Sequence, residues 1–151
     1  MLKFKQVNRI TKLQILTLFL FASPFTIDPA FSSPPISITK ISTFKKYDAL
    51  IALKVTSKNN TNRNVRLAGN FYAKTSDGLT YEFPDFETLQ FYGVYGNPCG
   101  GNGVDGYWNP GQVASATWCF AVPKGKTIVE IYVASNRYAT PLVSKKIRIK
   151  N

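Results

Sequence analysis

Residues Gln112 to Val122 read QVASATWCFAV. Ala114, Ala116, Trp118, Phe120 and Val122 fall on one side of an extended chain; Val113, Ser115, Thr117 and Cys119 fall on the other. A period of two marks a β-strand with one face in a core, because successive side chains of a strand point to opposite faces. Turn chemistry brackets it, with Asn109-Pro110-Gly111 before and Pro123-Lys124-Gly125-Lys126 after. The pattern continues outward on both sides. Thr127 to Ala134 and Leu142 to Lys150 follow as strands, the last with Ile147 and Ile149 turned inward and Lys145, Lys146, Arg148 and Lys150 turned outward. Upstream, Ile36, Ile38 and Ile41 open a first strand, and Tyr47 to Ser57 forms a second with Ala49, Ile51, Leu53 and Val55 on one face. Asn59 to Asn64 (NNTNRN) is a turn, since Asn tolerates positive φ. Val65, Leu67, Gly69, Phe71 and Ala73 mark a third strand, Ser76-Asp77-Gly78 a hairpin turn, and Thr80 to Phe83 the return. About seven short strands and no amphipathic helix predict an all-β sandwich.

The N-terminus reads differently. Lys3, Lys5, Arg9 and Lys12 precede an apolar run, Leu13 to Phe25 (LQILTLFLFASPF), then Pro24, Pro29 and a small-residue exit at Ala30-Phe31-Ser32. That order predicts a cleavable signal peptide over residues 1–32, one domain over 33–151, and a secreted or periplasmic protein. Thr26, Asp28 and Pro29 interrupt the run before the ~20 apolar residues a spanning helix needs. No integral span is therefore expected in the mature chain, and no cysteine stands at the exit to take a lipid. In an oxidising compartment the only two cysteines, Cys99 and Cys119, read as a structural disulfide. The loop it would close, about 20 residues, is worth roughly 3 kcal/mol by chain entropy.

Removing the signal takes four of 19 basic residues and Asp28 of eight acids, which leaves 15 against seven, or about +8. Such a sign suits polyanions, an anionic lipid surface or an acidic polysaccharide, through Lys145, Lys146, Arg148 and Lys150. Catalytic chemistry has little to draw on. The chain has no histidine, which removes Ser-His-Asp and Cys-His arrangements and the common zinc sites. A carboxylate pair of the glycosidase kind would have to use Asp85 and Glu87. Asn97, Asn102 and Asp105 are oxygen donors in a Gly-rich run, but lack the acid density and spacing of a calcium loop. We therefore expect no catalytic residues, metal or cofactor. Asn59-Asn60-Thr61 is a formal glycosylation acceptor, a triplet common by chance.

The informative irregular segment is Phe83 to Trp108. It carries Phe83, Phe86, Phe91, Tyr92, Tyr95, Tyr107 and Trp108 among six glycines, with Cys99 as a staple. Aromatics on a constrained loop make recognition surfaces, because they bury large area at little entropy cost. Tyr92, Tyr95, Tyr107 and Trp108 are the candidate contacts for a protein or saccharide ligand. The same side chains equally suit a lid folded back on the core.

Four motifs carry a family resemblance. They are Val55-Thr56 with Asn59 and Thr61, Asp77-Gly78 with Tyr81, Asn109-Pro110-Gly111, and Phe120 with Val122-Pro123. Together they resemble the telokin-like immunoglobulin-fold domains of uncharacterised exported bacterial proteins, over about residues 36–150. The resemblance implies an immunoglobulin-like sandwich outside the cytoplasm and brings no catalytic residue. Many members are lipoproteins, which this chain does not match, and the Gly-rich Cys99 segment looks like an insertion. The combined expectation is an exported, non-catalytic binding module.

Overall fold

The computed structural model describes residues 34–94, 99–100 and 103–151; the expected signal peptide lies outside them. Among the described residues there are eight strands and one short helix. In chain order they are β1 (Ile36–Lys46), β2 (Ile51–Asn59), β3 (Val65–Thr75), β4 (Thr80–Tyr81), α1 (Phe86–Phe91), β5 (Gly103–Trp108), β6 (Val113–Phe120), β7 (Thr127–Ala134) and β8 (Val143–Lys150). Two antiparallel sheets pack face to face: β1-β2-β6, and β4-β3-β7-β8 with β5 also on β3. The fold is an all-β sandwich.

The core is the one the alternation requires. Ile51, Leu53 and Val55 of β2 face Leu67, Phe71 and Ala73 of β3 and Ile128, Ile131 and Val133 of β7, all buried. Phe71 stacks on Trp118 across the gap, ring centroids 4.3 Å apart, a contact worth roughly 0.5–1.5 kcal/mol beyond its buried area. Gly69 permits close approach of β3 to β7, since a Cβ there would lie 2.8 Å from the Ala134 carbonyl oxygen.

Four expectations need correction. β1 runs on to Lys46, and Tyr47 opens the β1–β2 turn by donating its N–H to Leu50 O (2.9 Å). Ala49 is therefore an exposed turn residue rather than a core one. The return strand stops at Tyr81 instead of Phe83. Lys145 alternates with the outward residues of β8, and its ammonium crosses to Thr39 O of β1 (2.9 Å). Finally, the segment from Pro84 to Trp108 is not one loop. Asp85 caps a six-residue helix, accepting the Thr88 N–H on Oδ1 (2.7 Å), and Gly103–Trp108 is the eighth strand.

That last correction explains the segment. β4 pairs with Ala73 and Lys74 of β3, and β5 pairs with Val65 through Asn70 on the same edge. Asn70 and Ala73 each pair with β7 on the opposite edge. β4 and β5 are thus one interrupted edge strand, and between them the chain makes an excursion described over residues 82–94 and 99–100. The excursion crosses to the other sheet. Leu89 and Val94 pack on Ala52 and Cys119, on the face of β2 and β6 turned away from the main core. Cys99 bonds to Cys119, Cα atoms 5.5 Å apart.

Candidate functional site

The two long flanks of the sandwich are built differently. On one, β1 lies beside β8. Lys145 donates to Thr39 O, and Lys46 donates to Lys150 O, so each sheet is tied to the other's backbone. On the other flank β5 and β6 are the sheet edges, and the space between them is open.

β6 is small at its start. Ala116 is exposed and Ala114 half-buried, although both follow the inward alternation to Trp118 and Phe120. Their methyl groups are too short to reach β5, and a cavity of about 120 Å³ remains. Phe71, Val104, Trp108, Ala114, Ala116 and Trp118 are among its lining residues. The volume lies well below the ~300–1,000 Å³ of a cofactor or drug-sized pocket. It suits one apolar side chain.

Both ends of this opening are held. At the β5–β6 turn stands Asn59, completely buried. Its Nδ2 donates to the carbonyls of Arg63 (2.9 Å), Trp108 (2.9 Å) and Asn109 (3.0 Å). Its Oδ1 accepts from the N–H (2.9 Å) and Oγ1 (2.8 Å) of Thr61. One amide thus ties the end of β2, the Asn-rich turn and the β5–β6 turn together. Buried in this way it does not serve as a glycan acceptor. At the far end stand the Cys99–Cys119 bridge and the bond from Gly100 N–H to Thr117 O (3.0 Å).

The outer edge of β6 can be read by parity. Thr117 O accepts from Gly100, and Ala121 N–H donates to Glu82 O (2.9 Å). In an antiparallel pair one residue's N–H and C=O point the same way. Odd-numbered residues of β6 therefore turn their backbone groups away from β2. Toward the start of β6 stand Val113 and Ser115, and among the described residues their outward groups have no backbone partner. A free edge beside an apolar notch can accept an added strand, with main-chain bonds to the edge and one side chain in the notch.

The three described aromatic candidates, Tyr92, Tyr107 and Trp108, do not meet. Trp108 is half-buried and lines the cavity. Tyr107, the next residue along β5, points to the opposite face and is 72% exposed. Tyr92 is half-buried against the second cluster and tilts over Tyr47, centroids 5.3 Å apart. Tyr95 lies outside the described residues. The residues that sequence reading missed are Ala114, Ala116 and Val104. Their signal was the Ala-Ser-Ala run in a strand otherwise filled by large side chains.

No family model, curated protein or solved structure matches the chain. The site's chemistry rests on its own geometry.

Each acid of residues 34–151 except Glu87 has a visible structural task. Asp48 pairs with Lys124, Asp77 with Lys126, Glu82 with Arg137, Asp105 with Arg66, and Glu130 with Lys146. The Lys126 ammonium and then the Thr75 hydroxyl hold the Asp77 carboxyl at about 2. The Thr88 N–H holds Asp85 below its ordinary value at the helix start. No cluster of three or more potential metal ligands occurs among the described residues. No described helix is long and apolar enough to cross a membrane.

Proposed function

We propose that the protein is exported, loses residues 1–32, and works as a non-catalytic binding module of telokin-like immunoglobulin type. Its ligand is an extended segment of a partner protein. That segment adds to the free edge of β6 and places an apolar side chain between Trp108, Ala116 and Trp118. The observation that carries this reading is the asymmetry of the flanks: one is tied shut by lysines, the other left open over an apolar notch. Pinned ends at Asn59 and Cys99–Cys119 lower the ordering cost of binding, which is how a small contact becomes useful. Trp108 is the anchor in this arrangement, and Tyr107 and Tyr92 stand apart from it.

Selection from a library of displayed peptides tests the proposal directly. The exported protein should enrich peptides with alternating apolar residues. Those peptides should lose roughly tenfold or more in affinity for Ala116→Phe, which fills the notch, and for Ser115→Pro, which removes an edge donor. Both variants must keep the parent's far-ultraviolet circular dichroism. Peptides that bind the two variants as tightly as the parent would place recognition elsewhere and overturn the reading.

A further inference from the structure

A second surface stands apart from the open flank. Strands β1, β2 and β6 contain Lys40, Lys45, Lys46, Lys54 and Lys58 and no acid at all. The outward face of their sheet divides into two halves. Near Ala52 and Cys119 it is apolar and covered by α1. Beyond that no element among the described residues covers it, and the register gives its layout. Ser42, Lys54 and Thr117 form one row, Lys40, Thr56 and Ser115 the next, and Ser37, Lys58 and Val113 the last. Lys40, Lys54 and Lys58 are exposed, and none of the five ion pairs among the described residues includes them. The Thr56 and Ser115 hydroxyls share a hydrogen bond of 2.7 Å between them.

We infer that this half-sheet docks on an anionic bilayer surface. Three observations point there. The first is charge: cations with no carboxylate on their own sheet repel each other unless an external anion neutralises them. The second is shape. Lys54 and Lys58 lie about 13 Å apart along β2 at ~3.3 Å per residue, and Lys40 lies one strand to the side. The charges therefore spread in two dimensions, which fits a plane of headgroups better than a single polymer chain. The third is an apolar neighbour. α1 lies on this same face, and its Phe91 is 82% exposed. Phe91 meets Tyr92 edge-on at 4.9 Å, Tyr92 meets Tyr47, and the Lys45 ammonium stands 5.1 Å from the Tyr47 ring centre. An exposed aromatic beside lysines and hydroxyls is the composition of an interfacial contact, where the ring enters the headgroup boundary and the ammonium groups stay on phosphate.

Vesicle sedimentation tests this with the exported protein. The probes are vesicles of neutral phosphatidylcholine and of the same lipid with about a third phosphatidylglycerol. Binding should require the anionic lipid and weaken steeply as salt rises, because screening shortens to about 3 Å at 1 M. Each lysine near such a surface is worth roughly fivefold. The triple variant Lys40→Gln, Lys54→Gln, Lys58→Gln should therefore lose roughly a hundredfold in partitioning, and Phe91→Ser a further several-fold. A second triple variant, Lys74→Gln, Arg148→Gln, Lys150→Gln, removes equal charge from the outward face of the other sheet and should lose under tenfold. Equal losses from the two triples would reduce the effect to net charge and overturn the inference. Tight binding to dextran sulfate with none to anionic vesicles would overturn it in favour of an acidic polymer.

Discussion

The β1/β8 flank and the β5/β6 flank close the same two sheets by different means. At β1/β8 the closure is long side chains: Lys46 and Lys145 lay their aliphatic stems across the gap and end on backbone carbonyls of the facing sheet. At β5/β6 no side-chain hydrogen bond among the described residues bridges the middle. Closure is at the ends only, through Asn59 below and the disulfide above. The difference teaches where this sandwich spends its order. The sealed flank is secured by individually weak exposed contacts distributed along its length. The open flank is secured by two buried anchors, and the apolar notch between them is left unfilled.

Breaking an anchor should therefore cost more than breaking a seal. Asn59→Ala removes five hydrogen bonds at a completely buried position, although Arg63 O keeps the Thr61 hydroxyl and Asn109 O keeps the Gln112 N–H. At roughly 0.5–1.5 kcal/mol net for each bond lost, a total of about 4 kcal/mol is expected in urea unfolding. A loss under about 1 kcal/mol would mean that the β5–β6 turn holds itself.

The other anchor comes next. The double variant Cys99→Ala, Cys119→Ala should lose about 3 kcal/mol, the entropy of a loop of some 20 residues. The effect should also be local. Amides of α1 and β5 should gain hydrogen-exchange rate more than amides of β1 and β8 do, because the bridge ties the excursion rather than the sheets. Uniform acceleration across all strands would show that the bridge acts on the whole domain.

Sequence reading reached the sealed half of the molecule better than the open half. The strand Thr127–Ala134 was legible to the residue, and the last strand to within one at its start, because β-branched residues fill them and turn residues bound them. The β1–β2 boundary slipped because Lys45, Lys46 and Tyr47 suit a strand as well as a turn. The excursion resisted reading for physical reasons. α1 has fewer than two turns, too short to show a period. β5 holds two glycines in six residues and pairs on one edge only, so its strand signal is weak. The notch was invisible because Ala114 and Ala116 obey the core pattern. Only their distance from β5 shows that they do not fill the core. Asn59 looked like a turn residue, and its reach to Trp108 and Asn109 is a tertiary fact.

Filling the notch should sharpen the contrast at smaller scale. Ala116→Leu adds a side chain that the cavity can take, so a gain of about 0.5–1 kcal/mol in stability is expected, together with loss of peptide binding. A destabilised but folded variant would indicate that the notch is too narrow for the occupant proposed. On the sealed flank, Lys145→Met keeps the aliphatic stem and removes the donor. The bond it loses is partly exposed, and the expected cost is only about 0.5 kcal/mol by thermal unfolding. A cost above 2 kcal/mol would reverse the ranking of seal and anchor.

The smallest expected effect is one of acidity, and it also separates the flanks. Asp85 caps α1, and the Thr88 N–H keeps its carboxyl below the ordinary value of 3.8. A carboxyl lowered on folding contributes stability that is complete above its unfolded value and is lost as pH falls through the folded one. Between pH 5 and pH 2 the cap should therefore weaken, and α1 should fray at its N-terminus. Leu89 N–H, which donates to Asp85 O, and Tyr92 N–H, which donates to Thr88 O, report on that helix. The β1/β8 flank is joined through lysines and carbonyls, with no carboxylate in either bridge. Protonation in this range leaves those contacts unchanged. Hydrogen exchange at pH 2.5, corrected for intrinsic rates and compared with pH 5, should show lost protection at Leu89 and Tyr92 before any at Ile149. Equal loss at all three sites would mean that acid acts on the sandwich as a unit, and that the excursion has no stability separable from it.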